Sequence, residues 1–362
     1  MSRIAVIDAD LIGRKKHRFP NLDCMKLSGY HKTQGDSVIL KTDYYNLSDF
    51  DKVYIAKVFT DTAVPDGILS LPNIEYGGTG FFYDKSPKLP YEIEHTFPDY
   101  NLYTDYIDTY IAKGIPKKEF SFYFDYSIGF LTRGCFRQCP FCVNRNYKQA
   151  QIHSPLSEFL DTAKKKICLL DDNFLACSDW ERMLDELKET NKPFQFRQGL
   201  DERILTEKKC EKLFSSKYDG DYKFAFDDIE DAGIITKKLQ LIRKYSNRKL
   251  KFYVFTGFDR TDKWDLAFWK QDIIDLFDRI KILIDHYSLP YIMRHARYKD
   301  SPYANLYTLV ARWCNQPYLF YSHTLKQFAI MSGGNGFSCL KQFKQDFPKH
   351  HSFLDLKGEK NL

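Results

Sequence analysis

The sequence predicts an α/β protein. β-type apolar runs and helix-period segments alternate after residue 120, a glycine-punctuated β/α stretch precedes residue 115, and helix-like segments follow residue 301. The expected architecture is a Rossmann-like α/β domain over 1–115, a partial (βα)6 TIM-like barrel over 116–300, and a small helical C-terminal extension over 301–362.

In the first region "RIAVID" and "KVYIAKVF" read as buried parallel strands. "PNLDCMKLSGYHKTQGDSVIL" between them reads as helix, turn and strand, and "NIEYGGTGFFYD" sets Gly77, Gly78 and Gly80 behind another short strand. Glycines there permit positive φ and close approach of backbone to a ligand, and they are equally ordinary turn residues. "SPKLPYEIEHTFPDYNLY" is Pro- and Tyr-rich and reads as an ordered linker.

"FSFYFDYSIGFL" (120–131) is a β-prone run, followed by a helix from Pro155 with Ser154 as N-cap. Strand "ICLLDD", a helix over 178–190, strand "PFQFRQGL" and a helix opening "TEKKCEKLF" continue the alternation. Strand "YKFAFDD", a helix over 233–245, strand "LKFYVFTGF", a helix over 271–286 and strand "PYIMRH" complete about six units, fewer than the eight of a closed barrel. Polar and small residues gather at the strand ends, where parallel α/β folds bind ligands. After residue 301, "SPYANLYTLVARWCNQ" and "HTLKQFAIM" are helix-like, "SGGNG" is a turn, and "HHSFLDLKGEKNL" is a polar, frayed end.

The 362 residues carry a net charge of +6, spread out with local runs at Arg14 to Arg18 ("RKKHR") and Lys164 to Lys166 that read as solvated faces, a basic patch for phosphate or nucleic acid staying open. The apolar stretch at the start is broken by Asp8 and Asp10 and fails as a secretory signal, and no run approaches about 18 apolar residues. A cytoplasmic protein with no membrane segment is expected. Nine cysteines without a signal argue against a disulfide framework. Six of them, Cys24, Cys168, Cys177, Cys210, Cys314 and Cys339, stand singly and read as small buried hydrophobes.

The other three form "RGCFRQCPFCVN", with Cys135, Cys139 and Cys142 spaced C-x3-C-x2-C. A structural zinc site wants four ligands, and the nearest downstream histidine is His153. A four-iron cluster held by three thiolates keeps one iron for a non-protein ligand, which marks chemistry more than structure. A zinc site completed by His153 or a remote cysteine remains the competing reading.

This triplet, with Phe141 before its last cysteine and placed after the first strand of a partial barrel, resembles the radical S-adenosylmethionine (radical SAM) superfamily over residues 120–300. The resemblance implies a 4Fe–4S cluster on Cys135, Cys139 and Cys142, with S-adenosylmethionine chelating the fourth iron and yielding a 5′-deoxyadenosyl radical. It also implies cofactor contacts from the Phe141 backbone to the adenine, and from Asp171, Asp172 and Asn173 to the methionine ammonium. This chain has Asp-Asp-Asn where many members have Gly-Gly-Glu. Arg197 and Gln198 would reach the carboxylate or ribose, Thr256 and Gly257 would admit the adenine, and Arg294 would meet cofactor or substrate. An electron donor such as flavodoxin or ferredoxin is implied as partner; no catalytic residue on the substrate side is assigned.

The first domain resembles the cobalamin-binding-like (B12-binding-like) Rossmann units that precede the barrel in relatives. Where cobalamin domains of one kind carry D-x-H-x-x-G, this chain reads Asp8-Ala9-Asp10-Leu11-Ile12-Gly13. A carboxylate is a harder, weaker partner for cobalt than imidazole. Histidine-ligated cobalamin is therefore disfavoured, while cobalamin bound without a protein ligand stays open. A methylthiotransferase would need further cysteines in this domain, which has only Cys24. The leading expectation is a radical SAM enzyme abstracting hydrogen from a small molecule, nucleotide, nucleic acid or peptide. A cobalamin-dependent radical SAM methyltransferase and a structural or regulatory zinc or iron–sulfur protein are the alternatives.

Overall fold

A computed structural model describes residues 1–359. The chain divides into two compact units, 1–172 with 185–194, and 173–184 with 195–362.

The first unit opens on a four-stranded parallel sheet of order β2-β1-β3-β4, built from β1 (Arg3–Asp8), β2 (Ser37–Lys41), β3 (Lys52–Ala56) and β4 (Ile74–Gly77). β1 is buried on both faces. Ile4 and Val6 pack with Met25, Tyr103, Phe120 and Tyr123, while Ala5 and Ile7 pack with Phe50, Val53 and Ile55. Such double coverage is what makes its sequence a continuous apolar run rather than an alternating one. Asp8 caps the short α1 (Ala9–Gly13), accepting from the Leu11 N–H, and Asn21 caps α2 (Leu22–Thr33) through the Cys24 N–H.

α3 (Thr79–Phe82) follows β4, then come α4 (Tyr91–Glu94) and α5 (Thr104–Ala112). The stretch read as a linker thus contains a helical turn, and it buries Ile93 and Tyr103. "FSFYFDYSIGFL" forms a strand only at its centre, β5 (Tyr126–Gly129); a 3-10 turn and α6 (Ser121–Phe124) occupy its start. Phe120 and Tyr123, three apart, both enter the first core, and that contact overrides the β propensity of the run.

β6 (Thr132–Arg133) and β7 (Gln151–Ile152) pair antiparallel, Thr132 opposite Ile152, and β8 (Lys166–Leu169) pairs parallel with β5. The helix expected from Pro155 does not form. Residues 156–158 make a single 3-10 turn. Tertiary contacts take over: Glu158 pairs with His95 at 2.9 Å, the Phe159 carbonyl accepts from Tyr100 at 2.6 Å, and the Phe159 ring lies where a Cβ on Gly129 would sit.

The remaining helices and strands follow the expected order: α7 (Trp180–Glu189), β9 (Phe194–Phe196), α8 (Glu207–Phe214), β10 (Tyr222–Ala225), α9 (Ala232–Arg243), β11 (Leu250–Thr256), α10 (Leu266–Asp285) and β12 (Ser288–Arg294). In the second unit β10, β11 and β12 form a parallel sheet in that order. Buried Arg279 of α10 donates to the carbonyls of Phe226, Asp227 and Phe255, tying the ends of β10 and β11 together.

α11 (Ala304–Cys314), α12 (Pro317–Ser322), α13 (Leu325–Met331) and α14 (Gly334–Asp346) close the chain. "SGGNG" is therefore half turn and half helix. The end read as frayed is ordered as far as it is described: Phe353 and Leu354 are buried, and Phe353 stacks on Phe277 at 5.1 Å. Residues 360–362 of that stretch lie outside the described residues. No described helix is long and apolar enough to cross a membrane.

Candidate functional site: the cysteine loop

The three cysteines sit on an irregular loop that leaves β6 and returns through β7, so the hairpin ladder fixes both its feet. Gly134 starts the loop at φ +93°, and a Cβ there would fall 2.4 Å from the Gln149 carbonyl, where the outgoing and returning legs cross. Only glycine fits that conformation and that contact. All three cysteines are half-buried, unlike the six single ones, which are buried. Backbone N–H groups point at two of the sulfurs, Arg137 at Cys135 Sγ and Asn144 at Cys142 Sγ, each at 3.4 Å. Such donors stabilise thiolate and tune the potential of a bound iron–sulfur group. Among the described residues no three His, Cys, Asp or Glu side chains are gathered as the ligands of one ion would be. A four-iron cluster instead puts each cysteine on a different iron. Three thiolates on one loop with donors on sulfur fit that group.

His153, the residue weighed as a fourth zinc ligand, has both ring nitrogens engaged, Nδ1 with Ser154 at 3.0 Å and Nε2 with Glu94 at 3.3 Å.

The end of β8 holds the start of the loop. Asp171 is fully buried and accepts from the Leu131 N–H, the Thr132 N–H and the Thr132 hydroxyl. Burial, opposed by those hydrogen bonds, pushes its carboxyl up to about 7. Asp172 accepts the Gly134 N–H at 2.7 Å and the Asn144 side-chain amide at 2.6 Å, bracketing the triplet from both sides. Two of the residues assigned to the methionine ammonium are thus anchors of the loop itself. Asp172 oxygens retain further lone pairs for a ligand; enclosed Asp171 serves the strand end. The Phe141 carbonyl accepts the Tyr83 hydroxyl.

The other expected site residues belong to the second unit. Asn173 donates to Asp201 at 3.4 Å; Arg197 is half-buried and Gln198 exposed. Thr256 and Arg294 face each other across β11 and β12. The Thr256 hydroxyl and the Gly257 N–H both go to Asp272 Oδ2, at 2.7 and 2.9 Å. Arg294 donates to Thr308 at 2.8 Å and lies over the Tyr298 ring.

Three features of this unit escape the sequence. Asp272, on α10 and sixteen residues after Thr256, carries no motif. Glu202 is fully buried, its Oε1 has no hydrogen-bond partner among the described residues, and burial followed by Asp201 pushes its carboxyl up to about 8. His295 stacks on Trp264 at 5.5 Å, its Nδ1 has no hydrogen-bond partner among the described residues, and burial lowers its basicity. Only its place behind Arg294 at a strand end could have signalled it.

In the first unit Asp10, standing where the cobalamin motif has histidine, is buried and accepts from the Val58 N–H at 2.7 Å and the Thr62 hydroxyl at 2.5 Å. Gly78 and Gly80 do make a close backbone approach, to the chain's own Lys57: a Cβ on Gly78 would lie 2.3 Å from the Lys57 carbonyl.

Fold and site together describe an α/β chain with a cysteine loop suited to an iron–sulfur cluster at a strand end. No protein-family model matches the chain. No curated protein matches it. Among solved structures it is similar to the radical S-adenosylmethionine methyltransferase TsrM from Kitasatospora setae, with cobalamin and a 4Fe–4S cluster bound (TM-score 0.49, 10% identity, 81% of this chain and 72% of that chain). It is also similar to the cobalamin-dependent S-adenosylmethionine radical enzyme OxsB, with aqua-cobalamin and S-adenosylmethionine bound (TM-score 0.48, 12% identity, 85% of this chain and 55% of that chain). Both of those structures contain cobalamin.

Proposed function

We propose that the chain is a radical SAM enzyme in which Cys135, Cys139 and Cys142 hold a 4Fe–4S cluster. The carrying observation is the C-x3-C-x2-C loop, rooted in the β6–β7 hairpin and braced by Asp172 on Gly134 and Asn144. The strand–helix order from β8 to β12, with β5 before it lacking its helix, supports a partial (βα)6 TIM-like barrel as the frame, over 116–300, with a Rossmann-like domain before it and a helical extension after it. A cluster held by Cys135, Cys139 and Cys142 would supply the one electron for reductive cleavage of S-adenosylmethionine to a 5′-deoxyadenosyl radical.

The chain's own residues orient and insulate. Arg137 and Asn144 N–H groups hold negative charge on two sulfurs, and Asp171 and Asp172 keep the loop's first leg in place. Phe141, Asn173, Arg197, Gln198, Thr256 and Gly257, the last two fixed by Asp272, and Arg294 are the remaining residues proposed to contact the cosubstrate. Flavodoxin or ferredoxin is the proposed electron donor. The substrate is left at the level of small molecule, nucleotide, nucleic acid or peptide. Methyl transfer with cobalamin is the second reading, and the four-stranded parallel sheet, whose β1/β3 switch point suits a nucleotide-tailed cofactor, favours it.

Anaerobic purification tests the proposal. A brown protein with about four irons per chain is expected, releasing 5′-deoxyadenosine from S-adenosylmethionine on reduction, with both properties lost in Cys139→Ala. Colourless, zinc-loaded protein would sink it. Cobalamin that co-purifies, or that is required for turnover, selects the second reading.

A further inference from the structure

We infer that the amino-terminal sheet contributes a positioning strap to the cysteine loop, formed by Tyr83 and Asp84. This deepens the radical SAM reading and rests on it for the identity of the metal group. The two residues follow β4 and α3, which hang from the edge of the four-stranded sheet. The Tyr83 hydroxyl donates to the carbonyl of Phe141, the residue directly before Cys142. Asp84 accepts from Arg145 Nε at 2.7 Å, and the Asn146 side-chain amide donates to the Asp84 carbonyl at 3.0 Å. Arg145 Nη1 continues inward to the Pro140 carbonyl at 3.0 Å.

The contacts therefore grip the loop on both sides of Cys142, between Pro140 and Asn146. That is the stretch Asp172 does not reach, apart from Asn144. Together the two anchors divide the loop: the end of β8 holds Gly134 and Asn144, and the strap holds Phe141, Arg145 and Asn146.

The backbone marks the strap as built rather than incidental. Tyr83 has φ 52° and ψ −117°, a conformation that a residue with a Cβ adopts only when its surroundings impose it. The preceding turn is imposed by the Gly78 and Gly80 contacts with Lys57. The close approach of those glycines thus aims the strap. The Asp84 side chain is 9% exposed, while its partner Arg145 is open to solvent, so the pairing acts through its direction more than its charge.

A single exposed ion pair would do little alone. Here several directed contacts converge on seven residues, and their loss should raise local opening of the loop without unfolding the sheet.

The test uses the full chain, purified anaerobically, with Tyr83→Phe, Asp84→Asn and Asp84→Ala beside wild type. Two readouts are taken: the rate at which a ferrous chelator strips iron, and the rate at which trypsin cuts after Arg137, Arg145 and Lys148 in metal-free protein. Asp84→Ala should lose iron and be cut about five-fold faster, and Tyr83→Phe about two-fold, at an unchanged unfolding midpoint. Asp84→Asn, which keeps an acceptor, should fall between wild type and Asp84→Ala. Rates equal to wild type in all three variants overturn the strap. If wild type holds no iron, the cluster reading fails on its own, and the trypsin rates still decide whether the strap orders the loop.

Discussion

Asp172 accepts the backbone N–H of Gly134 at 2.7 Å and so joins the end of β8 to the first residue of the cysteine loop. Its other oxygen takes the Asn144 amide, ten residues further on. One carboxylate spans the triplet. Partners of this kind, one step removed from a metal, typically cost 10–100-fold in affinity when lost. Asp172→Ala should therefore release iron to a chelator about ten-fold faster than wild type. Asp172→Asn should stay within about three-fold, because its amide keeps an acceptor for Gly134 and can donate to a flipped Asn144. Equal losses in both variants would show that charge matters rather than bracing.

Asp10 should behave as a structural acceptor. Replacing it with Ala leaves the buried Thr62 hydroxyl and the part-buried Val58 N–H without their partner. A loss of about 2–4 kcal/mol in denaturant titration is expected, with faster hydrogen exchange at Val58. Asp10→Asn, which retains one acceptor oxygen, should recover about half of that loss.

The glycine cluster separates into tolerant and intolerant positions. Gly77 has nothing within 4 Å of a would-be Cβ, so Gly77→Ala should change stability by less than about 0.5 kcal/mol. Gly78 has φ +103° and the Lys57 carbonyl at 2.3 Å, so Gly78→Ala should cost about 2–3 kcal/mol. Melting temperatures of the two variants make the comparison, and equal values would contradict the Lys57 contact.

Glu202 makes stability depend on pH. Its folded carboxyl is raised to about 8 from an ordinary 4.5. Between those values the folded chain holds a proton that the unfolded chain has lost, so stability falls as pH rises through that window and levels off above it. Asp8 and Asp171, raised to about 7, act in the same direction. Glu202→Gln should remove its share of the slope, on the order of 2 kcal/mol between pH 5 and pH 8. Parallel stability curves for variant and wild type would show that Glu202 is ionised in the fold.

The alternation after residue 166 is legible because the strands are short apolar runs rich in aromatics and two of the helices between them carry side-chain caps. Thr206 caps α8 and Asp265 caps α10, six residues before the start that the sequence pattern gives for that helix. The failures lie where tertiary contact outweighs local signal. Ser154-Pro155 is a sound helix start, yet Glu158 is drawn to His95 and Phe159 lies against Gly129. The C-terminal histidines suggested a loose end, and the Phe353 ring in the core ties it down. In the candidate site the cysteines were legible from spacing. The braces were not: Tyr83, Asp84 and Asp172 lie between 28 and 62 residues from the loop positions they contact, and no local pattern encodes such distances.

The division of the nine thiols into three half-buried and six buried ones has a practical consequence for handling the protein. Burial pushes Cys24, Cys210, Cys314 and Cys339 up, away from the reactive thiolate form. A mild alkylating reagent applied to the folded, metal-free chain should therefore label Cys135, Cys139 and Cys142 first. Intact-mass spectrometry would then read cluster occupancy as protection of three sites, molecule by molecule, with the buried six as a built-in check that the fold has survived.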